Sequence, residues 1–502
     1  MGVWSFITGA LILLLILVVI CFLLYCGYIY YIHMKYDHIP GPPRDSFLFG
    51  HSPTLMKVMK NKMFVYDTFL EWAEKYGPVI RINGFHRVVA LIISPEGVKE
   101  CLMSPKYTKD PFYKRIETMF GARFMGTGLL TDRDYDHWHK NRRIMDPAFS
   151  RTYLIGLMGT FNEKAEDLVD TLGVKADGKC QVGMHDMFSR VTLDVIAKVA
   201  FGMELNSLHD DQTPFPKAIS TVMKGMVEIR NPFAEYTPGK QAFIRDVKEN
   251  IKLLRKTGQE CIERRMKAIK EGEDIPVDIL TQILKGAEFE DGCSLEDLMD
   301  NFVTFFIAGQ ETTANQLSFA VMELARHPEI LTRVQTEVDE VIGSKRDIEY
   351  ENLGKLQYLS QVLKETLRLY PTAPGTSRIA EEEIVVEGVR IPPGATLGFN
   401  SYVMGRMEKF YQDPMAFNPD RFHPDAPRPG YAYFPFSLGP RSCIGQVFAQ
   451  MEAKVVMAKL LQRFEFELVE GQSFKILDTG TLRPMDGVIC RLRHRAEHKS
   501  KT

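Results

Sequence analysis

Phe436-Ser437-Leu438-Gly439-Pro440-Arg441-Ser442-Cys443-Ile444-Gly445 is the stretch on which the reading of this chain turns. Its glycines lack a Cβ, so the backbone there can turn tightly and come close to a flat object. Arg441 offers a rigid fork of donors suited to a carboxylate. Cys443 stands where a helix is predicted to begin, running from Ile444 to about Phe464. Free amide hydrogens and the positive end of the helix dipole stabilise a thiolate at such a place. A thiolate beside backbone donors, over a planar group with carboxylates, is what ligation of haem iron through sulfur requires. The opposing reading is a buried cysteine in a glycine-rich turn, but flanking matches of this kind arise by chance in roughly one of several thousand such chains.

A second segment points the same way. From Ser294 to Arg326 there is no proline, Ser294 with Asp297 forms a plausible cap, and Pro328 closes the run. At 1.5 Å per residue the helix would be about 45–50 Å long, enough to cross a domain. Its apolar residues, among them Leu298, Phe302 and Phe305, keep helical spacing, yet its middle reads Ala308-Gly309-Gln310-Glu311-Thr312-Thr313. Ala308 and Thr312 are four apart and share a face. Gly309 beside them has no side chain to fill the notch, which leaves room for a diatomic ligand. Alone, Thr312 would be a threonine bonded back to a carbonyl and Glu311 a solvated charge; the cysteine loop in the same chain favours the functional reading.

Glu365 and Arg368 lie three apart on a helix predicted from Gln357 to Tyr370. Exposed, such a pair contributes about 0.2–0.5 kcal/mol. Together with Arg421 and the cysteine loop it reads instead as a buried network that supports the loop, a scaffold element. Short β-branched runs at Val79 to Ile82, Val88 to Ile93, Ile384 to Val389 and Ala395 to Phe399 predict a small sheet, and the rest is mostly helical.

The 502 residues, 45% hydrophobic and 25% charged, suffice for a large core, and a net charge of -2 gives no reason to expect nucleic acid as a partner. Eight cysteines (Cys21, Cys26, Cys101, Cys180, Cys261, Cys293, Cys443, Cys490) lack the spacing of a disulfide framework or zinc site. Between Met1 and Met34 there is no Lys, Arg, Asp or Glu, and Ile7 to Leu24 is almost wholly apolar. Crossing a hydrocarbon layer of about 30 Å takes roughly 20 such residues. A cleaved signal would bring an early positive charge and a small-residue cleavage site, so residues 1–34 read as a retained transmembrane anchor. Lys35, Arg44, Lys57, Lys60 and Lys62 follow it and place the body of the protein on the cytosolic side. Pro40-Gly41-Pro42-Pro43 makes residues 35–50 a stiff connector, and residues 51–502 the enzyme domain.

The loop matches in full the FxxGxRxCxG pattern of the cytochrome P-450 family, which the chain therefore resembles. The resemblance implies the family fold, mainly α with a small β region, and haem b held between a long central helix and the cysteine loop. It implies Cys443 as the iron ligand, with Phe436, Gly445, Ala308 and Gly309 around the cofactor. Arg441, the WxxxR pair Trp138 and Arg142, and Arg378 would meet haem propionates. Glu311 and Thr312 resemble the acid and alcohol that deliver protons during activation of O2, and Glu365, Arg368 and Arg421 the family's Glu-x-x-Arg and PxRF network. A monooxygenase follows, fed by an NADPH-dependent cytochrome reductase, since no Rossmann or flavin region is present in the sequence.

Within the family, HIPGPP, DILTQILK, DNFVTFFIAG, YLSQVLKETLRLYP, YVMGRM and YFPFSLG are similar to the cholesterol 24-hydroxylase branch. An apolar sterol substrate, arriving from an endoplasmic reticulum membrane, is the expectation. Other lipids or xenobiotics are the alternative substrates, and a haem-thiolate isomerase, dehydratase or sensor would have less use for Glu311 and Thr312. Ala373-Pro374-Gly375-Thr376-Ser377 gives a smaller, stiffer lining than the bulky aromatics expected of that branch.

Overall fold

The computed structural model describes residues 2–61, 63–288, 293–427 and 429–495; Met1 and Lys62, read above in the anchor and among the charges after it, lie outside the described residues. Helix α1 (Gly2–Tyr36) is long and apolar enough to cross a membrane, and none of its most apolar window is covered by the rest of the protein. A helix satisfies its own backbone donors and acceptors, which a hydrocarbon environment demands. The helix runs two residues past the expected end because its last turns dock: Ile29 and Tyr36 are buried, and the Tyr36 hydroxyl donates to the Pro393 carbonyl at 2.7 Å. The proline connector is pinned as well as stiff. Arg81 N donates to Pro40 O at 2.7 Å, and a Cβ on Gly41 would come within 2.6 Å of Arg81 O.

Strands β1 (Val79–Gly84) and β2 (Arg87–Ile92) form an antiparallel hairpin. Helices α2 (Tyr135–Met145), α3 (Met184–Phe201), α4 (Leu295–Arg326) and α5 (Gln357–Leu369) follow. Strand β3 (Gly375–Ile379) then pairs antiparallel with β4 (Thr396–Asn400), which lies parallel to β2, so the sheet order is β1-β2-β4-β3. Helix α6 (Gln446–Arg463) and the hairpin of β5 (Ile476–Asp478) and β6 (Leu482–Pro484) complete the frame of the site.

The first, second and fourth predicted strands are present. The third is not one strand: Ile384–Val386 and Val389–Ile391 form a separate hairpin, turned by Glu387 and Gly388, both at positive φ. Strand β3 escapes sequence reading because Gly-Thr-Ser-Arg-Ile has no apolar alternation; pairing with β4 creates it. All eight cysteines are unpaired.

Helix α4 begins one residue after its cap, Ser294, whose side chain accepts from Asp297 N while the Asp297 carboxylate takes up the Ser294 amide. From Asp297 to Leu324 every residue is buried except Ala308, Gly309, Glu311 and Thr312. A helix enclosed on all sides belongs in the middle of a domain, and the four exceptions mark where it opens.

Glu365 and Arg368 are wholly withdrawn from solvent and paired at 2.7 and 2.8 Å. Arg368 also donates to the carbonyls of Gly405 (2.5 Å), Pro414 (2.7 Å) and Ala416 (3.0 Å), while Glu365 accepts from Asn418 N (2.8 Å) and Arg421 Nε (3.3 Å). The predicted network is therefore a clamp between α5 and the strand-poor segment that leads into the cysteine loop. Removing one partner of such a pair leaves a buried, uncompensated charge at a cost of about 3–5 kcal/mol. Arg368→Ala is expected to lower unfolding stability by that amount in detergent denaturation, and a loss below about 1 kcal/mol would contradict the clamp.

Candidate functional site

The cysteine loop is closed by Cys443 N, which donates to Phe436 O at 2.9 Å. Gly439 is at φ +69°, and a Cβ there would lie 2.2 Å from Leu102 O, so this glycine serves a tight turn against the helix Pro95–Met103. Gly445 is at ordinary negative φ and caps α6; its amide donates to the Cys443 sulfur. The helix thus starts at Gln446 rather than at Ile444, and Cys443 stands two residues before the cap. Cys443 lies deep in the protein while its side chain faces a cavity. Burial raises the thiol above its ordinary range, and the Gly445 amide and the Arg142 charge oppose that rise.

That cavity has a volume of about 1640 Å³ and is lined on one side by Ala308, Gly309, Glu311 and Thr312 and on another by Phe436, Arg441, Cys443 and Gly445. The two sequence motifs, more than a hundred residues apart, therefore meet. Thr312 Oγ1 donates to Ala308 O at 2.9 Å, the back-bonded geometry of an ordinary helix threonine, and still opens to the cavity. Gly309 has a packing reason beyond the notch: a Cβ there would lie 2.7 Å from Ile196 on α3. Glu311 accepts from Thr481 Oγ1 at 3.1 Å, and burial holds its carboxyl above the usual range against the pull of Thr481, Arg483 and Asn315.

Two cations, Lys109 and Arg441, line the cavity near the loop, and a third, Arg378, is buried beside them. Arg441 donates to Asp132 O at 2.7 Å and lies 4.0 Å over the buried Trp138 ring. Arg378, on β3, donates to Thr376 Oγ1 and Ser377 O, each at 2.9 Å. Lys109 is 5% exposed, donates to Leu130 O and sits 4.2 Å over the Tyr113 ring. Each gives these hydrogen bonds to neutral oxygens, so burial acts on the charges nearly unopposed. Arg441 is pushed down to about 10 by burial and then by Arg378, and Lys109 is held well below its usual range by burial, Arg378 and Arg441. Lys109 was not foreseen, since nothing around it in sequence marks a lysine destined for burial.

Arg142, one turn after Trp138 on α2, lines the same cavity. Its guanidinium donates to Asp146 at 2.6 Å and to Ser442 O at 2.7 Å, so it braces the residue before Cys443 while facing the cavity. Glu452 on α6 was also unforeseen: it is fully buried beside Thr313, and burial raises its carboxyl well above the ordinary range.

A cavity with a sulfur facing it, a helix notch across from that sulfur and three under-partnered cations fits a flat group carrying two carboxylates, because charge-assisted bonds to carboxylate are what Lys109, Arg378 and Arg441 lack. Lys109→Met should speed haem transfer from the holoprotein to an apoglobin acceptor about 10- to 100-fold, the equivalent of one lost charged hydrogen bond of about 1.5–3 kcal/mol. Unchanged transfer would remove Lys109 from the cradle.

Comparison with known proteins agrees with this geometry. The family model described as Cytochrome P450 matches residues 40–490. The chain is 29% identical to cytochrome P450 4d2 of Drosophila melanogaster, over 91% of this chain and 94% of that protein. It is 31% identical to cytochrome P450 4c21 of Blattella germanica (87% and 90%) and 28% identical to cytochrome P450 3A12 of Canis lupus familiaris (98% and 98%). Fold, cavity and sequence together assign the chain to the cytochrome P450 family of haem-thiolate monooxygenases, which hold haem b through a thiolate and draw on O2 and a redox partner.

Proposed function

We propose that this chain hydroxylates the side chain of a sterol, at carbon 24 of cholesterol in the reading its sequence favours, with Cys443 as the iron ligand. The observation that carries the proposal is the single cavity in which Cys443, Ala308 and Thr312 share a wall system with Phe64, Phe112, Ile116, Met223 and Met226, an apolar chamber large enough for the cofactor and a bulky lipid together. The stretches similar to cholesterol 24-hydroxylases supply the choice of lipid.

In this reading residues 1–34 anchor the enzyme in the endoplasmic reticulum membrane, 35–50 connect, and 51–502 form the catalytic domain. Lys35, Arg44, Lys57 and Lys60 hold that domain on the cytosolic face, where an NADPH-dependent reductase supplies electrons. Bound haem supplies the oxygen chemistry, and electron density from a thiolate ligand favours cleavage of the oxygen–oxygen bond. The chain's residues do the rest. Gly445 N–H and the Arg142-braced Ser442 fix the sulfur; Lys109, Arg378 and Arg441 hold the carboxylates; Trp138 backs Arg441. Thr312 presents a hydroxyl at the cavity wall, and Glu311, one residue away, moves protons to it. The apolar lining orients substrate and limits stray proton entry.

Ala373-Pro374-Gly375-Thr376-Ser377 lines the cavity with small side chains and supports a second reading, in which another lipid or a xenobiotic is the substrate. Cholesterol turnover by the full-length protein with reductase and NADPH, analysed by mass spectrometry, distinguishes the two. A side-chain hydroxysterol is expected; a competent enzyme that yields no sterol product would overturn the sterol assignment and leave the monooxygenase. Thr312→Ala should lower product formed per NADPH several-fold and release the difference as peroxide, whereas unchanged coupling would contradict its part in proton delivery.

A further inference from the structure

Glu311 does not end in isolation inside the protein. Thr481, just before β6, donates its hydroxyl to Glu311 Oε2 at 3.1 Å. Asn315, one turn along α4, donates Nδ2 to Thr481 Oγ1 at 3.0 Å and also favours the Glu311 carboxylate directly, and its Oδ1 faces His185 Nε2 at 2.9 Å. Asn315 and Thr481 are buried, while His185, on the first turn of α3, is only part-buried. Four side chains from three separate segments thus form one unbroken line between the cavity wall and a partly exposed imidazole.

The line has a direction. A hydroxyl carries one proton, so with Asn315 donating to Thr481 that proton is free for Glu311, which accepts as a carboxylate. Asn315 Oδ1 can only accept, which requires His185 to carry its proton on Nε2. Turning the amide over reverses every step. Thr481 is then committed to Asn315 Oδ1, its oxygen can only accept from a protonated Glu311, and His185 Nε2 must be bare to accept from Nδ2. Nitrogen and oxygen of an amide have nearly the same shape, so the flip needs no repacking.

We propose that His185, Asn315 and Thr481 are positioning residues that act as a two-way hydrogen-bond line, reversed by a flip of the Asn315 amide, which lets a buried Glu311 exist in both proton states during turnover. No proton crosses the amide. Glu311 takes up and gives back its proton on the cavity side, the amide turns to follow, and His185 exchanges its ring proton between Nε2 and Nδ1 through water. Arg483 faces both ends of the line and Asp186 adjoins His185, so their charges set its balance point. Burial favours the neutral form of Glu311, and the donating Thr481 hydroxyl, with Arg483 and Asn315, opposes it.

The inference rests on Glu311 as proton carrier, and its test separates the two. Full-length holoprotein labelled with 15N-histidine, in its reduced carbon monoxide form, would give the His185 tautomer directly, with the His185→Gln spectrum assigning the resonance among twelve histidines. The line predicts a bias to the Nε2–H tautomer at neutral pH that moves toward the free-imidazole mixture in Thr481→Val and returns in Thr481→Ser. An infrared carboxyl band absent from Glu311→Gln should grow at least several-fold in Thr481→Val. A His185 spectrum indifferent to Thr481→Val would overturn the line, and so would a Glu311 band that does not change. If both spectral effects appear while Glu311→Gln leaves coupling intact, the line stands and the proton-carrier reading falls.

Discussion

A carboxylate and a guanidinium with no contact with water set the conditions for the rest of this structure. Burying Glu365 and Arg368 costs several kcal/mol per ion unless each remaining donor and acceptor is met. Here they are met by backbone from a segment with little regular structure, Gly405, Pro414, Ala416 and Asn418, and by Arg421. Between Gly405 and Asn418 that segment makes its own hydrogen bonds only in local turns, not in a helix or sheet. The ion pair therefore acts as its template, and the chain that leaves it enters the cysteine loop in a fixed position.

The cavity inverts that logic. Where the clamp satisfies every charge, the surroundings of the site leave Lys109, Arg441 and the buried Arg378 with only neutral oxygens, push Arg441 down to about 10, and raise Cys443 and Glu311 by burial. Groups held away from their ordinary proton affinities in one enclosed place are a physical signature of a working site. Each imbalance has its counterpart in haem chemistry: cations for carboxylates, sulfur for iron, and a carboxyl able to change state beside a hydroxyl.

The sequence made the two halves of the site legible because each is a local pattern. The cysteine loop, the notch Ala308 to Thr313 and its capped helix, and the Glu365–Arg368 pair all depend on spacing along one element, and the structure places them as the spacing implies. What sequence could not show depends on other elements arriving. Strand β3 exists through β4, Gly309 owes its lack of a side chain to Ile196 as well as to the notch, and Lys109 becomes a site residue only when Arg378 and Arg441 surround it. Arg142 lines the cavity as its spacing from Trp138 implies, but its bond to the carbonyl of Ser442 depends on the loop arriving beside it.

The central claim is that Cys443 presents its sulfur to iron across the cavity from α4. The reduced carbon monoxide difference spectrum of the purified full-length protein tests it most directly, read beside Cys443→Ala and Cys443→His. The account predicts the strongly red-shifted Soret band of a thiolate-ligated carbonyl complex in the native chain, and its loss in both variants, with Cys443→His giving the position typical of imidazole ligation. A red-shifted band that survives Cys443→Ala would place the thiolate on another cysteine and contradict the site.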